Sequence, residues 1–233
     1  MIDPGADWHT HSNVSDGVDD PAAMAEAAAA AGLASWGLSD HVRADTTWLQ
    51  DYVRTVRGLR VDGLDVRCGV ESKILTSNGA LDLPRELPGL DFLLIADHQF
   101  PGADGPVHPS RVSQQIAAGS LSPSDAVAQL VRATCEAVLR SPLPPIVAHL
   151  FSLLPKCGLS EDLVGGQELD ELAAACLSAA AAVEANEKWR CPSARVLSQL
   201  HARGVRLTAG SDAHRAEDVG RWSYLDEILM AVP

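Results

Sequence analysis

Near its start the chain carries Trp8-His9-Thr10-His11-Ser12-Asn13-Val14-Ser15-Asp16-Gly17. In an extended segment alternate side chains share a face, so His9 and His11 point the same way, roughly 7 Å apart along the strand. Two imidazoles placed like this can converge on one cation. Asp16 follows in the turn Ser15-Asp16-Gly17, from which it can curl back over the same spot. An H-x-H alone also occurs on ordinary exposed strands, so further ligands have to come from elsewhere in the chain.

They come at the ends of short apolar runs. Gly5–His11 is the first such run. Ser35–Leu38 stops at Asp40-His41, Asp65–Val70 at Glu71, and Phe92–Ala96 at Asp97-His98. Pro145–Ala148 stops at His149, Ala181–Val183 at Glu184-Ala185-Asn186, and Val205–Ala209 at Gly210-Ser211-Asp212-Ala213-His214. Helix-forming stretches lie between them. Pro21–Ala31 has proline in its first turn and Gly32 at its end. Thr46–Arg60 shows helical spacing of Leu49, Tyr52, Val53, Val56 and Leu59, and Ser122 opens a helix through Arg140. Gln167–Ala179, Pro192–Arg203 and Glu217–Met230 complete the set. The Pro/Gly-rich Pro101–Pro109 reads as a loop on the side of His98, and Phe151–Gly166 as a longer excursion.

Repeated strand–helix units imply parallel strands with right-handed crossovers. Seven of them, with no Gly-rich dinucleotide fingerprint after the first strand, predict an α/β fold closed into a TIM-like barrel, one domain over residues 1–233. An open doubly wound sheet is the alternative. In a parallel barrel the C-terminal strand ends form one face, where side chains distant in sequence meet. That face would gather His9, His11, His41, Glu71, His98, His149, Glu184, Asp212 and His214. Six of the eight histidines fall there, and only His108 and His201 do not. Singly, His41 or His149 could be a hydrogen-bonded wall residue, Glu71 a loop-edge carboxylate and Asp212 a helix N-cap. Those readings give no reason for polar groups to collect at one kind of strand end, whereas a polynuclear metal site does. Imidazole together with carboxylate suits zinc, manganese or iron, and Glu71 could bridge two cations.

Composition bounds the partners. The formal charge of −13 over 233 residues argues against generic binding to nucleic acid or anionic membrane. It leaves open a nucleotide held at a local positive site. Cys68, Cys135, Cys157, Cys176 and Cys191 are odd in number and show no C-x-x-C spacing, so neither a zinc knuckle nor a disulfide framework is expected. No signal pattern and no run approaching 18 apolar residues is present, and a cytoplasmic protein is the expectation. The oligomeric state is not written in these residues.

The set H-x-H-S-x-x-S-D-G, D-H, G-V-E, an isolated His after strands four and five, E-x-N, and a final G-S-D-A-H resembles the PHP (polymerase and histidinol phosphatase) family. The resemblance runs over essentially the whole chain, and its first and last motifs are the most specific. It implies a distorted (β/α)7 barrel with three divalent metal ions on its C-terminal face. Carried over position by position, His9, His11, Glu71 and Asp212 would hold one ion. Glu71 would bridge to a second held with His98 and His149, while Asp16, His41 and His214 would hold the third. Glu184 and Asn186 match the family's E-x-N, which lies beside the cluster.

Three such ions imply hydrolysis of a phosphate ester by metal-activated hydroxide in line with the leaving group. Glu71, Asp212 and Arg190 are the residues expected to carry catalysis. Phosphate also wants fixed cations, and the candidates for substrate binding are Arg43, Lys188, Arg190 and Arg215, with Asn186. Arg190 resembles an arginine that family histidinol phosphatases carry after the E-x-N. The favoured expectation is a phosphatase acting on a small-molecule monoester. The rivals are a phosphodiesterase or exonuclease acting on nucleotides or short oligonucleotides, and a non-catalytic metal-binding domain.

Overall fold

The computed structural model describes residues 2–231; Met1, Val232 and Pro233, the outermost residues of the expected domain, lie outside the described residues. The elements run β1 (Ala6–Asp7), α1 (Pro21–Ala30), β2 (Ser35–Leu38), α2 (Leu49–Gly58), β3 (Asp65–Lys73), β4 (Phe92–Ala96) and a small hairpin of β5 (Phe100–Pro101) with β6 (Pro106–Val107). There follow α3 (Pro109–Ala117), α4 (Pro123–Leu139), β7 (Pro145–Val147), α5 (Gly166–Ser178), β8 (Ala182–Asn186), α6 (Ala194–Ala202), β9 (Arg206–Gly210) and α7 (Tyr224–Ala231). Seven strands form one sheet in the order β1-β2-β3-β4-β7-β8-β9, and every neighbouring pair in it is parallel.

The sheet curls until its edges meet. Beyond β1, Trp8–His11 stays bonded to the end of β2 through Thr10 and also runs along the end of β9. The Trp8 amide donates to the Ala209 carbonyl (3.2 Å), Asp212 to His9 (2.8 Å) and His11 to Ala213 (2.8 Å). The result is a nearly closed barrel, the α/β architecture expected from the repeated units. Period-two alternation then sorts its side chains. On β4, Leu93 and Ile95 join the apolar layer under the helices, while Phe92, Leu94 and Ala96 join a separate inner cluster with Ile146, Ala148 and Ala182. Gly37 and Gly69 leave room for the Phe92 ring, against which a Cβ at either would collide. Trp8 packs edge-on to Phe92 at 5.7 Å, closing this apolar plug. The same alternation carries the inner face from Gly69 to Glu71 on β3 and from Ala182 to Glu184 on β8. Polar residues therefore occupy the barrel above the plug.

Most expected boundaries hold within a few residues, and two departures stand out. Helix α3 falls in a stretch with no helical assignment from sequence; His108 caps it by accepting from the Ser110 amide (3.2 Å). The last helix, expected from Glu217, starts at Tyr224 instead. Gly220 at φ 64° interrupts the chain, and the Glu187 carboxylate takes the amides of Ser223, Tyr224 and Leu225 at 2.8–3.0 Å, acting as a cap supplied from outside the helix.

Asp7 ties β1 to the chain end, accepting from the amides of Ser211 (2.9 Å) and Gly220 (3.2 Å). Burial raises its pKa to about 6, and these hydrogen bonds only partly offset that. A carboxyl raised in the folded state holds its proton there while the unfolded chain has lost it. Stability from this group thus falls as pH climbs from about 4 to about 6, by roughly 3 kcal/mol. Denaturant unfolding across this range should show wild type losing ground relative to Asp7→Asn; a constant difference between the two would refute it.

Candidate metal centre

Glu71 lies at the middle of the upper barrel and is 1% exposed. Its two oxygens face different imidazoles. Oε1 lies 3.0 Å from His149 Nε2 and 3.1 Å from His98 Nε2. Oε2 lies 2.9 Å from His41 Nδ1 and 3.4 Å from both His9 Nε2 and His11 Nε2. Asp16 reaches in from the loop after His11, its Oδ2 3.4 Å from both His41 Nε2 and His214 Nε2. Asp212 Oδ1 is 3.8 Å from His11 Nε2. All nine expected ligands therefore meet at one mouth of the barrel. Four overlapping sets within the cluster could each hold an ion: His11/Asp16/His41/His214, His9/His11/Glu71, His9/His149/Asp212 and His41/Glu71/His98.

Several rings are aimed by partners behind them. His9 Nδ1 meets Glu184 Oε1 at 2.8 Å, His149 Nδ1 lies 3.1 Å from Ser152 Oγ and 3.4 Å from Asp97 Oδ1, and His214 Nδ1 meets the Asp212 carbonyl at 2.9 Å. Each leaves its Nε2 free toward the centre, the usual posture of an imidazole ligand. Glu184 also accepts from the His149 amide (2.6 Å) and the Asn186 side chain (3.1 Å), so it joins two ligand-bearing strand ends.

The carboxylates and most of the imidazoles stabilise one another's charged forms, and a cation would have to take the place of the imidazole protons. Burial alone would push the Glu71 carboxyl up, but His98, His9 and His41 outweigh it and hold it well below the usual range. Burial lowers His41 and His149, yet Glu71 and Asp16 around the first, and Asp97 and Glu71 around the second, raise each to about 10. Burial dominates at His11, which is driven well below an ordinary histidine. The donor set also fits a cation on a direct observation. Glu71 Oε2 and His11 Nδ1 are buried without an aligned hydrogen bond, although three imidazole nitrogens crowd the former. Lone pairs of nitrogen and oxygen converging in a dry interior are costly alone and favourable around a metal.

The family model of the PHP domain matches residues 7–157, and a PHP-associated model matches residues 194–223. The chain belongs to the PHP domain family. A protein of Caldanaerobacter subterraneus named as a probable phosphatase is 24% identical over 171 residues, which is 73% of this chain and 59% of that relative's length. Among solved structures, histidinol phosphate phosphatase from Lactococcus lactis, complexed with zinc, L-histidinol and phosphate, aligns with a TM-score of 0.70 at 18% identity, over 97% of this chain and 93% of that one. A candidate histidinol phosphatase of Listeria monocytogenes aligns at 0.67 and 15% identity, over 93% of this chain and 97% of that one. These two likenesses carry the fold. Among the described residues no helix is long and apolar enough to cross a membrane.

The other expected site residues divide. Lys188 reaches the PHP centre, its Nζ 3.2 Å from Asp212 Oδ1 and 3.1 Å from His214 Nδ1. Arg43 lines a cavity of about 720 Å³ together with Asp16, His41 and His98. Arg190, expected to serve catalysis and substrate, instead pairs with Glu227 (2.7 Å) on α7 and lies over the Tyr224 ring at 5.0 Å, exposed and turned from the cluster. Its φ of 51° swings the side chain out of the loop that carries Lys188. Arg215 is exposed, without a contact to the cluster among the described residues. Asn186 acts within its own loop, accepting from the Trp189 amide (2.8 Å).

Sequence reading passed over two carboxylates. Asp97 stands behind His149, and Asp40 takes the amides and hydroxyls of Ser12 and Ser15, pinning the loop that presents Asp16. The repeated Asp-His at strand ends, 40–41 and 97–98, was the signal for both.

Proposed function

We propose that this chain is a metal-dependent phosphoesterase that hydrolyses a phosphate monoester of a small molecule. The observation that carries the reading is the convergence of six imidazoles and two further carboxylates, Asp16 and Asp212, on buried Glu71. Its two oxygens face separate imidazole groups, which supports a bridging role between ions. Three divalent ions, zinc among the candidates, fit the overlapping sets and would supply water activation and charge neutralisation at a phosphoryl group. The likeness to a zinc-bound histidinol phosphate phosphatase supports this.

The chain's own groups set the rest. Glu184 and Asp97 hold His9 and His149 in place, so the ligands need little rearrangement when substrate binds. Lys188, at the rim beside Asp212, is the cation placed to take charge from a phosphoryl oxygen. The cavity beside Asp16, His41 and His98, lined also by Arg43, Trp48 and Lys73, has the volume of a small-molecule site and would take the leaving group.

Metal analysis of the purified protein should find up to three ions per chain, and His9→Ala with His11→Ala should lower that count and abolish hydrolysis. An aryl phosphate monoester should turn over faster than an aryl phosphodiester; the reverse order would favour the diesterase. Metals present with neither ester cleaved would leave an accessory domain. Lys188→Ala should lower kcat/KM on the monoester roughly 10- to 100-fold, the worth of one charge-assisted hydrogen bond. An unchanged kcat/KM would remove Lys188 from the site.

A further inference from the structure

We infer that Trp189 is a positioning residue for the metal centre: its indole N–H holds one oxygen of Asp212, so that this carboxylate offers a single oxygen to a metal ion. This rests on the metal centre proposed above.

Trp189 Nε1 donates to Asp212 Oδ2 at 3.0 Å. The other oxygen, Oδ1, faces the cluster, 3.4 Å from His214 Nδ1 and 3.8 Å from His11 Nε2, and also takes the rim ammonium of Lys188 at 3.2 Å. A free carboxylate beside several cations can chelate one ion through both oxygens or bridge two. Committing one lone pair of Oδ2 to an N–H donor disfavours both options and favours Oδ1 as the oxygen offered to an ion, with its basicity reduced.

The loop that presents the indole is built to stay in place. The Trp189 amide donates to Asn186 Oδ1 (2.8 Å), and the Asn186 amide donates to the Cys191 carbonyl (2.9 Å), closing the loop on itself. Glu187 fastens the loop to the start of α7 through three amides, and the Tyr224 hydroxyl donates to the Pro192 carbonyl (2.6 Å). Lys156 Nζ sits 3.9 Å from the centre of the indole ring, a cation–π contact that steadies the ring from the excursion after β7. Asp212 is equally constrained, with φ 55° and its amide bonded to the His9 carbonyl. Trp189 is 43% exposed, so neither burial nor core packing explains this much fastening.

Two replacements separate donor from bulk. Trp189→Phe removes the N–H and part of the ring; substitution of Trp189 by 3-benzothienylalanine removes only the N–H and keeps the bicyclic shape. Metal retention by the full chain is read by competition with a chelator followed by elemental analysis, zinc being the probe. Both variants should hold one ion per chain about 10- to 100-fold more weakly, the usual loss when a ligand's hydrogen-bond partner is removed. In an Asp212→Ala background, Trp189→Phe should cost nothing further, because the two act through one carboxylate. If the benzothienyl chain retains zinc as wild type does, whatever Trp189→Phe does, the N–H has no role and the inference falls. If wild type itself holds no zinc, the metal centre falls first and takes the inference with it. Wild type loaded beside equally loaded variants defeats the inference alone.

Discussion

Exchange of Glu71 for glutamine is expected to strip the chain of most of its bound metal and, with it, all measurable ester hydrolysis. The substitution is nearly isosteric, so the barrel has no steric cause to fail. What changes is charge. Glu71 is the anion that His9, His11, His41, His98 and His149 share, within 3.4 Å of each. An amide puts an N–H2 where one oxygen faced imidazole lone pairs, so one side of the centre meets a donor where it needs an acceptor. Loss of a mere hydrogen-bond partner of a ligand costs about 10- to 100-fold in metal affinity. Loss of the shared ligand should exceed that. Because the imidazoles hold the Glu71 carboxyl well below its ordinary range, mild acid cannot reproduce the effect, and the deficit should persist from neutral pH down to weakly acidic pH. Glu71→Gln protein that kept a full complement of ions and wild-type turnover would overturn the bridging role.

Gly210→Ala is expected to be nearly as damaging, although it adds one methyl and touches no ligand atom by name. A Cβ at Gly210 would land on Glu184 Oε1 and lie 2.8 Å from His9 Cβ. Neither neighbour is the loose end of a flexible side chain. Glu184 is held by His9, by the His149 amide and by Asn186, and His9 is fully buried. Accommodating the methyl means breaking the bond from Glu184 to His9 or lifting β9 from β8. Overpacking of this kind costs about 1–3 kcal/mol. Displacement of a ring's anchoring carboxylate adds a 10- to 100-fold loss of metal affinity, as a rough guide. Thermal unfolding and ion counting check both parts. A variant with wild-type melting and wild-type metal content would show that Glu184 is freer to move than its bonds imply.

The barrel was legible in the chain because its inner and outer faces are written in a period of two and its strand ends in residue type. Ser35–Leu38 and Phe92–Ala96 coincide with the observed strands residue for residue. Eight of the nine expected ligands converge because they sit at or just beyond the end of an apolar run, where parallel strands place them on the same mouth; Asp16 comes instead from the loop after His11, which Asp40 pins through Ser12 and Ser15. What sequence could not convey depends on partners far along the chain. The start of α7 is set by Glu187, 36 residues or more away, and no local signal marks it. Arg190 looked like a phosphate ligand by its place after the E-x-N, but a single left-handed residue turns it toward Glu227. Trp189 next to it, an unremarked aromatic in the sequence, is the one that reaches Asp212. A motif reports which side chains are nearby, and backbone geometry decides which of two neighbours faces the centre.

The seam joining Trp8–His11 to Ala209–Ala213 has a bearing on how the molecule is made. Residues 9 and 11 are made about two hundred residues ahead of the strand that completes their wall, Arg206–Gly210. Until that strand arrives, the first two histidines border an open gap and lack Asp212 and His214. A nascent chain would therefore have no finished set of candidate ligands, and a product terminated before Asp212 would be expected not to load an ion. On the metal-centre reading proposed above, ion uptake would double as a molecular receipt for a translated and closed barrel.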